Sequence, residues 1–119
     1  RDPAERAATT VYTSGEHCAM CSAAHAWCGL GRIVYASSSK QLGQWMGELG
    51  SKPHHIAGLS IQEVAPGIEV VGPASDELVN EVKELHVEKA KREAETDEDR
   101  NKREGEAKAE KAERARRLR

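Results

Sequence analysis

The sequence predicts an α/β fold, and three observations carry that expectation. Two short runs rich in β-branched and aromatic residues, 9–13 and 32–36, bracket an Ala-rich stretch free of proline. A second stretch places Leu42, Trp45, Met46 and Leu49 at i, i+3, i+4 and i+7, an apolar stripe at helical spacing. Strand, helix and strand in this order favour a right-handed parallel crossover.

The elements follow in order. Residues 1–8 are polar and Ala-rich, and Asp2-Pro3 is suited to start a helical turn or to end an upstream linker. Ser14-Gly15 should break the first strand. A helix is expected from about His17 to Trp27, closed by Gly29 and Gly31. Ser37-Ser38-Ser39 offers N-cap oxygens to a helix over about 39–49, which Gly50 and Pro53 end. Residues 51–58 read as loop, and 61–64 and 68–71 as short strands flanking Pro66-Gly67. Ser75 or Asp76 caps a third helix, with Leu78, Val82 and Leu85 facing one way, Val79 beside them, and the stripe ending near Val87.

Composition divides the chain at that point. Residues 88–119 hold twelve Lys or Arg, ten Asp or Glu, six Ala and a single large apolar side chain, Leu118. Such a stretch cannot bury a core. The expectation is a foldable domain over 1–87 and a charged tail, helical or disordered, over 88–119. Glu88–Arg92, Glu98–Lys102, Asp99–Arg103, Glu104–Lys108, Glu110–Arg114 and Glu113–Arg117 are ordered to support a solvated helix. Each such pair adds only ~0.2–0.5 kcal/mol. A domain of that size is marginal without a metal, a partner or further sequence.

Residues 1–87 carry six basic and ten acidic side chains, and the tail twelve and ten. Neither part has the one-sided positive charge of a nucleic-acid binder. No apolar run approaches the ~20 residues of a membrane span. No basic-then-apolar leader opens the chain, so a cytoplasmic protein is expected. Its start at Arg1 suggests a fragment or a processed product.

Cys18, Cys21 and Cys28 fall within eleven residues. An odd count without a secretory leader points to metal binding or catalysis rather than a disulfide framework. Cys18 and Cys21 are three apart at the start of a predicted helix, so their sulfurs share a face and both can reach one zinc ion. The positive potential of a helix N-terminus favours the thiolates zinc requires. Cys28 lies about two turns, roughly 10 Å, further along the axis and reads as a small buried hydrophobe. His25, at i+4 from Cys21, has usable spacing for a third ligand, but a core or surface histidine is the preferred reading. His17 is able to point at metal or solvent, His54 and His55 sit in predicted loop, and His86 has no assigned role. A lone C-x-x-C also suits a thioredoxin-like redox site or half of a zinc knuckle, but no second C-x-x-C exists and Ala19-Met20 adds no redox argument.

The longer segment Thr10-Val11-Tyr12-Thr13-Ser14-Gly15-Glu16-His17-Cys18-Ala19-Met20-Cys21, with Ala24, Trp27, Gly29 and Arg32-Ile33-Val34-Tyr35-Ala36, resembles the zinc-dependent cytidine/deoxycytidylate deaminase superfamily. It is most similar to the branch of guanine, cytosine and tRNA-adenosine deaminases. The likeness is close over residues 9–36 and looser to Leu49. It implies a three-layer α/β/α sandwich, truncated at its N-terminus, with Zn²⁺ held by Cys18 and Cys21. In that family the third ligand and a proton-shuttling Glu come from an H-x-E motif on an earlier helix. Zinc there activates the water that displaces the amine as ammonia.

Two positions depart from the pattern. His17 stands where the family has Pro, which implies a looser loop and a different pocket rim. No H-x-E precedes Cys18: Glu5 has no ligand two residues before it, and Glu16 matches the family's own Glu ahead of Pro-Cys, which is not the shuttle. The resemblance therefore implies no catalytic residue within this chain, and an inactive segment of an active parent. The expected substrate is a nucleobase or nucleoside, Trp27 is expected to pack between helix and sheet, and a homodimer is implied. The competing reading is a non-catalytic zinc-binding or interaction module, or a pseudoenzyme subunit completed by a partner chain. Missing strands would leave an open sheet edge prone to aggregation.

Overall fold

The computed structural model describes residues 2–52 and 56–119. The order is α1 (Pro3–Ala7), β1 (Thr10–Gly15), α2 (Ala19–Trp27), β2 (Arg32–Ser37), α3 (Ser39–Glu48), α4 (Ile61–Val64), β3 (Val70–Val71) and α5 (Asp76–Arg117). The three strands form one parallel sheet in the order β1-β2-β3. The chain is thus α/β, as its periodicities predict.

β1 runs two residues further than expected. Gly15 pairs with Ser37, the Glu16 N–H donates to the Ser37 carbonyl at 2.8 Å, and the buried Ser37 hydroxyl donates to the Ser14 carbonyl at 2.9 Å. A small residue inside the ladder is no breaker when its backbone bonds are all made.

Alternation along β2 sends Ile33 and Ala36 to opposite faces. Ile33, fully buried, packs with Ile61 and Ala65, with Ile68 and Val70 against them. Ala36 packs with Trp45 of α3 and Val79 and Val82 of α5, joined by Leu42, Met46 and Ala74. The predicted α3 stripe holds except at its end, where Leu49 is exposed. On α5 the buried pair is Val79 and Val82, while Leu78 and Leu85 face solvent. The expected stripe is displaced because only the Val79–Val82 face meets Ala36 and Trp45.

Residues 61–64 form a helical turn, not a strand. Ser60 caps it, its hydroxyl accepting from the Glu63 N–H at 3.2 Å, and Ile61 is driven inward with 0% exposure. With that turn in place only Val70 and Val71 pair with β2, in parallel rather than as half of a hairpin.

α2 and α3 end alike. Gly29 (φ 69°) and Gly50 (φ 74°) take the left-handed conformation just past each helix. The N–H groups of Gly29 and Leu30 bond to the Ala26 and His25 carbonyls at 3.0 and 3.2 Å. Those of Gly50 and Ser51 bond to Gly47 and Met46 at 3.1 and 3.0 Å. Both are the paired closure that favours glycine at this position. Gly31 meets a different demand: a Cβ there would lie 2.2 Å from the Thr9 carbonyl oxygen and 2.5 Å from that of Ala7.

Residues up to Leu85 form one compact unit and His86–Arg119 a second, with the boundary inside α5. The second unit is helical to Arg117. Of the six expected ion pairs, Glu88–Arg92 and Glu113–Arg117 close, and Lys89–Glu93 and Asp97–Arg100 form as well. Among the described residues no helix is long and apolar enough to cross a membrane.

Candidate metal centre

The two cysteines stand where β1 hands over to α2. Cys18 is the N-cap residue, extended at φ −66° and ψ 172°, so its side chain is outside the helix while its carbonyl already accepts from the Ser22 N–H at 2.8 Å. Cys21 is the third helical residue. The first-turn N–H groups of a helix need acceptors, yet no side-chain oxygen caps α2 and its first turn holds no acidic residue. The Cys18 side chain makes no capping hydrogen bond either, but its sulfur lies beside these donors. Backbone N–H groups at Cys21 and Met20 and the Cys21 thiol hold the Cys18 thiol below its ordinary pKa. The same interaction raises Cys21, whose S–H donates to the Cys18 sulfur and which also faces the Cys18 charge. Both side chains are exposed.

Beneath them a histidine pair fixes the loop. His25 is 3% exposed and its Nε2 lies 2.6 Å from the Gly31 carbonyl oxygen, which can only accept. His25 Nε2 therefore carries hydrogen. Its Nδ1 lies 3.3 Å from His17 Nε2, with the rings tilted by 57°. With both rings neutral one arrangement satisfies the pair: His17 Nε2–H donates to His25 Nδ1. Burial first, and then charge on His25, push the His17 pKa down, with Glu16 opposing. The His17 carbonyl also accepts from Ser22 and Ser39 hydroxyls at 3.4 and 3.5 Å. His17 is thus tied down at both ring and backbone.

This removes His25 from the candidate ligands, since both its ring nitrogens are engaged within the protein. Glu16 is engaged too. Its two carboxylate oxygens accept from the N–H groups of Ser39, at 2.9 Å, and Ile61, at 2.8 Å, so one side chain caps both α3 and α4. Glu5 lies on α1, and its backbone N–H serves the Asp2 cap. His54 and His55 lie outside the described residues. Among the described residues no group of three His, Cys, Asp or Glu side chains is placed to hold a metal ion. Among the described residues the structure brings together two thiols and no third ligand.

Two further expectations change. Cys28 is exposed rather than buried, standing at the C-cap where α2 ends. Its backbone, not its sulfur, is used: the Cys28 carbonyl accepts from Arg6 Nε at 3.0 Å. Trp27 is 90% exposed and packs neither helix nor sheet, since the face α2 turns inward is that of Ser22 and His25. The chain does contain one H-x-E, His86-Val87-Glu88, downstream of the cysteines and in the second unit, where Glu88 pairs with Arg92. Its order is the reverse of the deaminase pattern, so a search restricted to the region before Cys18 passes over it.

A scan against family models finds none that matches the chain, and a search of curated proteins finds no match.

Proposed function

We propose that this chain contributes half of a zinc site to a hydrolytic nucleobase or nucleoside deaminase, with Cys18 and Cys21 as two metal ligands. One observation carries the reading: both thiols sit at the start of the helix that follows a parallel strand, where the carboxyl ends of strands converge on ligands. The donor set fits zinc, for which exposed thiolates one helical turn apart are suitable ligands. Bound zinc would supply Lewis-acid activation of a water molecule.

The chain's own residues then have defined tasks. Cys18 and Cys21 hold the ion, the α2 N–H groups favour the Cys18 thiolate, and the His17–His25–Gly31 bonds fix the loop beneath. Glu16 positions α3 and α4 and moves no proton. The third ligand and the proton-shuttling carboxylate come from residues outside these 119 or from a partner subunit. On this reading the sheet and its flanking helices belong to a three-layer cytidine-deaminase-like sandwich. The protein is cytoplasmic and homodimeric, and its substrate is a small base or nucleoside rather than nucleic acid.

The second reading is a non-catalytic zinc or interaction module. What favours it is Glu16: the acidic residue nearest Cys18 is committed to two helix caps.

Cobalt substitution of the reduced chain tests the metal claim. A thiolate-to-cobalt absorption band should form, vanish in Cys18→Ser and Cys21→Ser, and survive in Cys28→Ser. No band, or a band indifferent to Cys18 and Cys21, overturns it. Ammonia release from a panel of bases and nucleosides separates the two readings. It should require the third ligand and shuttle to be present, and its absence even then leaves the non-catalytic module.

A further inference from the structure

We infer that Cys18 and Cys21 also form a reversible dithiol–disulfide couple, closed by small-molecule disulfides and kept apart from Cys28. This rests on where the two residues stand at the helix start and holds whether or not the zinc reading does.

The N-cap and N3 side chains of a helix meet each other, and this chain shows it one helix later. At α3 the N-cap Ser38 hydroxyl accepts from the Gln41 N–H at 3.0 Å, and the Gln41 side chain returns to the Ser38 N–H at 2.8 Å. Cys18 and Cys21 hold the corresponding positions at α2. Their Cα atoms are on the order of 5 Å apart, one turn, inside the roughly 4.4–6.8 Å window that a disulfide spans. Cys18 is extended rather than helical, so its side chain is free of the rotamer limits of a helix interior. Neither sulfur is covered, and Met20 between them is itself 74% exposed. Cys28 is seven residues beyond Cys21, about 10 Å along the axis, too far for a bridge.

The chemistry balances with glutathione disulfide as oxidant. The Cys18 thiolate attacks one sulfur of glutathione disulfide, forming a mixed disulfide and releasing one glutathione thiolate. Cys21 loses its proton and attacks the Cys18 sulfur, and the second glutathione leaves as thiolate. Two protein thiols are oxidised by two electrons, one glutathione disulfide is reduced to two glutathiones, and the two thiol protons end on them. Zinc occupancy and the disulfide exclude each other, since metal needs both sulfurs as thiolates.

The test uses the whole chain as Cys28→Ser, reduced and freed of metal by chelator, and equilibrated with glutathione redox buffers. It is then quenched with acid and labelled with a maleimide for intact mass. Expected is a monomer that has lost two hydrogens and takes no label, reverting to two labels as the buffer becomes reducing. Cys18→Ser and Cys21→Ser in the same background should stop at one glutathione adduct. Oxidation of Met20 would add oxygen instead and is told apart by mass. The inference is overturned if the Cys28→Ser chain accumulates stable mixed disulfides or only disulfide-linked dimers. Cobalt binding by the same reduced sample reports on the zinc reading separately, so the failure of one is not the failure of the other.

Discussion

Two helices in this chain begin in the same setting and are started by different chemistry. α2 follows β1 and α3 follows β2, both strands parallel, and both helices close on a left-handed glycine. α3 opens with Ser38 and Gln41 exchanging hydrogen bonds, a complete capping box, with Glu16 accepting from the Ser39 N–H as well. α2 opens with Cys18 and Cys21, without a side-chain oxygen or an acidic residue in its first turn. The first arrangement stabilises a helix. The second leaves donors and exposed sulfurs at a helix end, which costs stability and has value only if something else binds there. Hydroxyls cap the scaffold helix here, and the thiols at α2 make no such cap.

The strongest way to break that comparison is to disturb the support under α2 without touching the cysteines. Gly31→Ala puts a Cβ against two backbone carbonyl oxygens, those of Thr9 and Ala7, which no side-chain rotation can relieve. It also shifts the carbonyl that anchors His25. We expect a loss of about 3 kcal/mol or more, the upper end of overpacking costs, read by urea denaturation. A mild effect would mean that α2 is not held from beneath, and that its N-terminal geometry is not fixed by the scaffold.

Glu16→Ala comes next. It leaves the N–H groups of Ser39 and Ile61 without their charged acceptor. Two hydrogen bonds to a partly exposed carboxylate should be worth about 2–4 kcal/mol together, again by urea denaturation. Glu16→Gln keeps one acceptor oxygen and should recover part of this. If Glu16→Ala is instead neutral for stability, the carboxylate is not a cap, and the case against it as a proton carrier weakens.

How much of this was legible in the sequence follows the same division. Periodicity finds β1, α2, β2 and α3 because each carries a local signal: β-branched runs, an apolar stripe, a terminal glycine. Residues 61–64 mislead because Ile61 and Val64 are good strand residues, while the deciding influences are the Ser60 cap and a Glu16 oxygen 45 positions away. Cys18 and Cys21 are legible as a pair because a helix start and a three-residue spacing agree. The exposure of Trp27 was not, since the inward face of α2 is set by α4 and by Gly31, on other elements. An Ala-rich helix gives little apolar contrast to show which side is turned in.

The comparison sharpens most directly at the two N-caps. Ser38→Ala removes a made capping bond and should cost ~1 kcal/mol. Cys18→Ala in metal-free, reduced protein removes no comparable bond and should cost under ~0.5 kcal/mol, as for an ordinary surface change. Cys18→Ser should go further and stabilise the metal-free chain by up to ~1 kcal/mol, because it supplies the missing oxygen, while abolishing the cobalt band. A Cys18→Ala cost equal to that of Ser38→Ala would make Cys18 a structural cap, and the contrast between the two helix starts would fail.

The smallest effect belongs to a third way of holding a helix, by charge alone. From His86 onward α5 has no buried side chain and is supported by pairs such as Glu88–Arg92 and Glu113–Arg117, on side chains mostly open to water. Each is worth ~0.2–0.5 kcal/mol and is screened by salt. Glu113→Gln should therefore leave the unfolding midpoint of the packed unit unchanged and lower only the ellipticity at the helical minimum, by a few per cent. In 1 M salt, where the screening length falls to about 3 Å, wild type and variant should converge. A larger loss, or one that salt does not erase, would mean that something other than ion pairs holds this helix. The Ser38 hydroxyl cap at α3 should show no such salt dependence, because a hydroxyl on a backbone N–H carries no net charge to screen.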